Sequence, residues 1–148
     1  MYLQYKPFFL FLFRFIGAYL VFVILYKLYL GTFDVANNEP DNITYLVARQ
    51  SNWLLNFLGY KSFIEFNLYE PCLNLFCGPN YYVRIVEGCN AISVMILFVS
   101  FCIAFSAYFF RTVIYVVFGV FIIYILNIIR IALIVILALA AAFNTSLR

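Results

Sequence analysis

The residues best equipped for chemistry are Cys89 and Arg130. Cys89 lies in "VRIVEGCNAISVMILF", residues 83–98, between Gly88 and Asn90, where a polar loop gives way to an apolar run. A cysteine near a helix N-terminus feels the positive end of the helix dipole, which favours the nucleophilic thiolate. Arg130 closes the polar interruption in "YILNIIRI", three positions after Asn127. A turn centred near residue 110 would form an antiparallel helix pair and return Arg130 to within about one helical turn of the depth of Cys89. A guanidinium there would favour the thiolate further. Glu87 works against this: its carboxylate can offset the effect, pair with Arg130, or contact a basic group on a substrate. Asn90 and Asn127 are the polar neighbours able to orient both groups. A snorkelling interfacial arginine and an apolar cysteine at a helix start would give the same pattern. An ionisable residue inside an apolar segment nevertheless points toward function.

The remaining inventory narrows the chemistry. The chain contains no histidine, which excludes an internal Ser-His-Asp triad, a Cys-His dyad and a His-ligated metal. Nothing suggests a metal, a nucleotide or an organic cofactor, and the six glycines are dispersed rather than gathered in a phosphate-binding loop. Cys72 and Cys77 are five steps apart along an extended strand, about 16 Å and on opposite faces, beyond disulfide reach. They read as structural, and Cys102, deep in an apolar run, reads as a packing residue.

The elements that must position these residues belong to a membrane protein. Of 148 residues, 68% are hydrophobic and only 10% charged, with a mean hydropathy of +1.04, outside the balance of soluble domains. A net charge of +3, scattered along the chain, does not suggest nucleic acid. Residues 8–30 make an apolar run about 34 Å long as a helix, enough to cross a bilayer and longer than a signal-peptide core. Lys6 and Arg14 at its start, with Arg111 marking a later turn, place the N-terminus in the cytoplasm by the positive-inside bias. Lys27 is a minor exception. Residues 31–88 hold all six acidic residues and read as an extracytoplasmic domain.

Within that domain "PDNITYLVARQSNWLLNFLGY" predicts an amphipathic helix capped by Asp41 or Asn42 and stopped at Gly59. Its stripe of Ile43, Leu46, Val47, Leu54, Phe57 and Leu58 suits either the outer membrane surface or packing on a hairpin. "FIEFNL", "CLNLFC" and "YYVRIVE" predict strands, the last two joined by a turn at Gly78, Pro79 and Asn80. A second span is expected over 90–108. Residues 112–143, about 48 Å as one helix, exceed a hydrocarbon core of roughly 30 Å and must divide or protrude, with the natural division at Asn127 and Arg130. The expected fold is therefore an α-helical integral membrane protein with about three transmembrane helices and a short apolar C-terminal segment. A small loop domain of amphipathic helix and β-hairpin completes it. Its parts are residues 1–30, 31–88 and 89–148.

"VEGCNAISVMILF" followed by "YILNIIRIAL" resembles the exosortase/archaeosortase family of membrane transpeptidases, and "QSNWLLNFLGY" is similar to its exosortase F-type branch. The resemblance covers the chain from the first span to about residue 137. It implies a cysteine protease or transpeptidase at the outer face of the bacterial inner membrane, acting on membrane-anchored proteins that carry a C-terminal sorting signal. Cys89 would attack the scissile carbonyl to form a thioester, and Arg130 would stabilise the thiolate or the oxyanion. The lipid bilayer is the other partner.

The family's usual third catalytic residue, a histidine after the arginine segment, has no counterpart here. The sequence then looks like the family's N-terminal three-span part, truncated or altered at its end, and this polypeptide is expected to turn over little or no substrate. Two other classes fit the composition. A membrane thiol oxidoreductase would depend on Cys72 or Cys77, although no C-x-x-C pair occurs. A non-catalytic assembly subunit would tolerate Cys89→Ala and Arg130→Ala.

Overall fold

All four prolines, Pro7, Pro40, Pro71 and Pro79, lie outside the apolar runs or at their first turn, so nothing in those runs removes a helical hydrogen bond. A computed structural model describes residues 5–34, 40–78, 82–105 and 108–146, the side chains of Phe33, Asp34 and Glu87 excepted. Pro7 sits in the first turn of α1, Lys6–Asp34, the position where its missing N–H costs least. The protein is mostly helical, and two of its helices, α1 and α4, are long and apolar enough to cross a membrane. Two compact units are present: residues 1–29 with 91–124, and residues 30–90 with 125–148.

The first unit is built on aromatic packing. Helix α3, Ile92–Phe105, sets Phe101 and Phe105 against Phe11 of α1, with ring centroids 4.4 Å apart for Phe11 and Phe105 and 4.7 Å for Phe101 and Phe105. The start of α4, Phe109–Ser146, approaches α3 closely at Gly119. A Cβ there would lie 2.2 Å from Phe98 Cζ. At 14 residues, α3 is about 21 Å long, shorter than a hydrocarbon core of roughly 30 Å and shorter than the span expected over 90–108.

The second unit holds the loop domain. Helix α2, Asn42–Phe57, starts at an Asp41 cap whose side chain accepts from the amides of Ile43 and Thr44. It ends as expected at Gly59, whose φ of +91° is the left-handed conformation glycine adopts freely. Gly59 N–H donates to Asn56 O and Tyr60 N–H to Leu55 O, the paired bonds of a Schellman motif. Strands β1 (Ser62–Phe66), β2 (Leu73–Cys77) and β3 (Tyr82–Ile85) form an antiparallel sheet in that order. Ser62 pairs with Cys77, and Leu73 pairs with both Phe66 and Ile85. All three expected strands are present, while Pro79 and Asn80 of the expected turn lie outside the described residues.

The alternation in β2 puts Leu73, Leu75 and Cys77 on the buried face. With Val47, Ala48 and Leu55 of α2, Ile85 of β3 and Cys72 just before β2 they form the buried apolar core of the loop domain. The sequence expectation left α2 a choice between hairpin and membrane surface. The helix packs its Thr44, Val47, Ala48, Ser51 and Leu55 side inward and meets β1 and β2. Cys72 and Cys77 are buried free thiols, in keeping with the structural role expected of them.

One expectation is corrected. Residues 109–146 form a single α-helix of 38 residues, about 57 Å long, with no break at Asn127 or Arg130 and hence no separate C-terminal segment. Residues 120–146 contain neither glycine nor proline. The polar group that seemed to interrupt the run is satisfied from the side, because the Asn127 amide has a partner outside its own helix. An interior asparagine with a partner does not end a helix.

Candidate functional site

Cys89 occupies a 3-10 turn, Glu87–Asn90, three residues before α3 begins. Its N–H donates to Val86 O at 2.8 Å, and its thiol is free and half-buried. The joint between this turn and α3 is Ala91, the one non-glycine residue with positive φ, +58°, among those described. An alanine held there costs roughly 1–2 kcal/mol, so the surrounding contacts must enforce the turn's shape.

Two such contacts are visible. Asn127, 5% exposed on α4, donates from Nδ2 to Cys89 O at 2.6 Å. On the other side Asn90, 2% exposed, donates from Nδ2 to Thr44 Oγ1 at 3.5 Å. Thr44 Oγ1 in turn donates to the Asp41 carboxylate, which also accepts from the Ile43 and Thr44 amides. Asp41 and Thr44 are themselves buried. The carboxylate therefore lies at the N-terminus of α2, where the free N–H groups and the dipole compensate its charge. The Cys89 turn is thus held from both sides, by an amide from α4 and by the capped start of α2, all within one compact unit.

Of the residues singled out by sequence, Cys89, Asn90 and Asn127 are brought together. Arg130 lies less than one turn beyond Asn127 on α4 and is exposed. Among the described residues Arg84 of β3 forms an ion pair, 2.8 Å long, with Glu70 of the β1–β2 connection. The expected pairing of Glu87 with Arg130 or a substrate lies outside the described residues, since the Glu87 side chain is not among them. Asp41 was legible only as a helix cap and Thr44 not at all, because the contact to Asn90 bridges residues far apart in sequence.

An open cavity of about 290 Å³ lined by Phe101, Cys102, Phe105, Tyr108, Arg111, Thr112 and Tyr115 contains none of these site residues. Its Arg111 guanidinium stacks 5.5 Å above the Tyr108 ring. Cys102 is thereby on an aromatic surface of the first unit.

The site thus comprises a half-buried thiol on a turn fixed through its own carbonyl, three residues before α3, and tied to the helix that carries Arg130. A profile of the transmembrane exosortase family matches residues 6–145, nearly the whole chain and every element of the site. The chain belongs to the transmembrane exosortase family. A search of curated proteins and a search of solved structures each returned no match.

Proposed function

We propose that this chain is the core of a membrane cysteine transpeptidase or protease of the F-type branch. It processes proteins with C-terminal sorting signals at the outer face of the bacterial inner membrane. In this reading α3 joins α1 and α4 as a third membrane-embedded helix, and the loop domain is extracytoplasmic. A scissile bond just outside a substrate's membrane helix demands a nucleophile at that depth. Cys89 attacks the carbonyl carbon, the peptide C–N bond breaks, and the acyl group is left as a thioester on Sγ. Arg130 stabilises the thiolate before attack and the oxyanion during it. Asn127 and Asn90 act through the turn and not on the substrate: they hold the backbone that aims Sγ.

The single observation that carries this reading is the Asn127 bond to the Cys89 carbonyl, which ties the nucleophile's backbone to the helix that bears Arg130. Proton delivery to the leaving amine has no histidine to perform it, and that step is typically worth 10² to 10⁴-fold, by order of magnitude. The amine must leave before the thioester exists, so with water as the proton donor the 148-residue polypeptide should form the thioester slowly and needs long incubation to show it. Incubating it with a membrane-embedded sorting-signal protein and trapping the adduct by mass spectrometry tests this. An adduct on Cys89, lost in Cys89→Ala, strongly reduced in Arg130→Ala and unchanged in Cys72→Ser and Cys77→Ser, is the expected result. Full activity in Cys89→Ala would end the peptidase reading, and dependence on Cys72 or Cys77 would favour redox chemistry.

A further inference from the structure

Helix α2 is apolar on two sides, and the fold uses only one of them. With Val47, Ala48 and Leu55 buried, a second row of Leu46, Trp53 and Phe57 stays exposed at 47%, 66% and 74%. The spacing i, i+7, i+11 keeps the three on one strip of the helix. Trp53 and Phe57 stack on each other with ring centroids 5.6 Å apart, so they present one flat aromatic surface, and exposed Leu58 extends it past the helix end. Arg49 lies on the same strip and Lys61 follows shortly after the helix. Helix α2 itself contains no acidic residue.

We propose that this strip lies on the membrane–water interface, with its rings at the level of the upper acyl chains and Arg49 and Lys61 among anionic headgroups. Tryptophan with phenylalanine on one side and cations beside them is the composition of helices that lie in the interfacial plane. Two features of the chain favour lipid over another occupant. Residues 35–41 alone join the end of α1, a helix apolar enough to cross the bilayer, to the start of α2, which is at most about 29 Å of chain. The compact unit that contains α2 also contains the apolar second half of α4, where Leu126, Leu133, Leu137 and Phe143 are exposed. The proposal does not depend on the peptidase reading, because it concerns only α2 and the membrane.

Trp53 is the sole tryptophan of the 148 residues, so this chain reports on the strip without modification. The protein is reconstituted into vesicles of phosphatidylcholine and phosphatidylglycerol. Its emission is compared with lipids brominated near the top or near the end of the acyl chain, and with iodide on both sides of the membrane. The expected result is a blue-shifted emission quenched more strongly by the shallow bromines than by the deep ones, with most of the iodide quenching lost. Three results would overturn the proposal: quenching by iodide alone, which leaves the strip in water; stronger quenching by the deep bromines, which puts it in the hydrocarbon core; and protection from both, which assigns it to a second copy or another protein. Activity assays on Cys89 variants are unaffected by any of these outcomes, so the two readings fail separately.

Discussion

The backbone of Cys89, rather than its side chain, is where the structure spends its polar contacts. The Asn127 amide is buried and its donated bond ends on a carbonyl, so Asn127→Ala removes a buried bond at a cost of about 1–3 kcal/mol. Asn127→Asp should be worse than alanine despite equal size, because an acceptor then faces the Cys89 carbonyl and a charge is buried. Thermal unfolding in detergent micelles checks the order wild type, alanine, aspartate. Cys77 makes a different kind of prediction. Burial raises its thiol above the ordinary cysteine value, because the anion is poorly solvated there. The folded state thus holds this proton to higher pH than the unfolded chain does. Its stabilisation is complete below the unfolded thiol's pKa of about 8.5 and is lost as pH climbs through the raised folded value. Stability measured from pH 7 upward should fall in the alkaline range, and Cys77→Ala should flatten that part of the curve. The closeness of Asn127 to the Cys89 turn was legible in the sequence, because a polar residue stands out in an apolar run. The Asp41, Thr44 and Asn90 chain was not, since no local pattern links a helix cap to a turn so far along the sequence.

At the scale of elements, boundaries were read where one residue's backbone chemistry decides them. Asp41 and Gly59 bound α2 in the sequence and in the fold, and alternation found the strands. Patterning misled where a residue's meaning depends on a distant partner. Asn127 and Arg130 looked like a division of the last helix, yet α4 runs through them because the asparagine is satisfied from outside. The apolar positions of α2 looked like one stripe, whereas Val47 belongs to the sheet contact and Leu46 and Phe57 to the exposed strip. A helix pair around residue 110 was expected, but its close contact between Gly119 and Phe98 was invisible for the same reason. At Gly119 an added methyl would strike the Phe98 ring, so Gly119→Ala should cost about 1–3 kcal/mol through overpacking, outweighing the gain of roughly 1 kcal/mol in helix propensity. In a Phe98→Ala background the same substitution should stabilise, and a double-mutant cycle on thermal unfolding measures the reversal.

For the whole molecule, family membership and two long apolar helices put the chain in a membrane, and the proposed orientation sets Cys89 outside and the α3–α4 connection inside. In spheroplasts of a bacterial host expressing the full chain, a membrane-impermeant maleimide should label Cys89 and spare the buried Cys72 and Cys77. Labelling of Cys89 only after lysis would reverse the topology. The unbroken α4 has one more consequence. A rigid helix that is pinned at Asn127 is fixed in rotation as well as in depth, like a shaft held by a key, and three residues further on the direction of Arg130 is set by that pin. One extra residue inserted between them would leave the key seated but turn the guanidinium by about 100° and move it about 1.5 Å along the axis. In the proposed mechanism the asparagine thus times the arginine to the cysteine, although its side chain need never touch the thiol or the guanidinium.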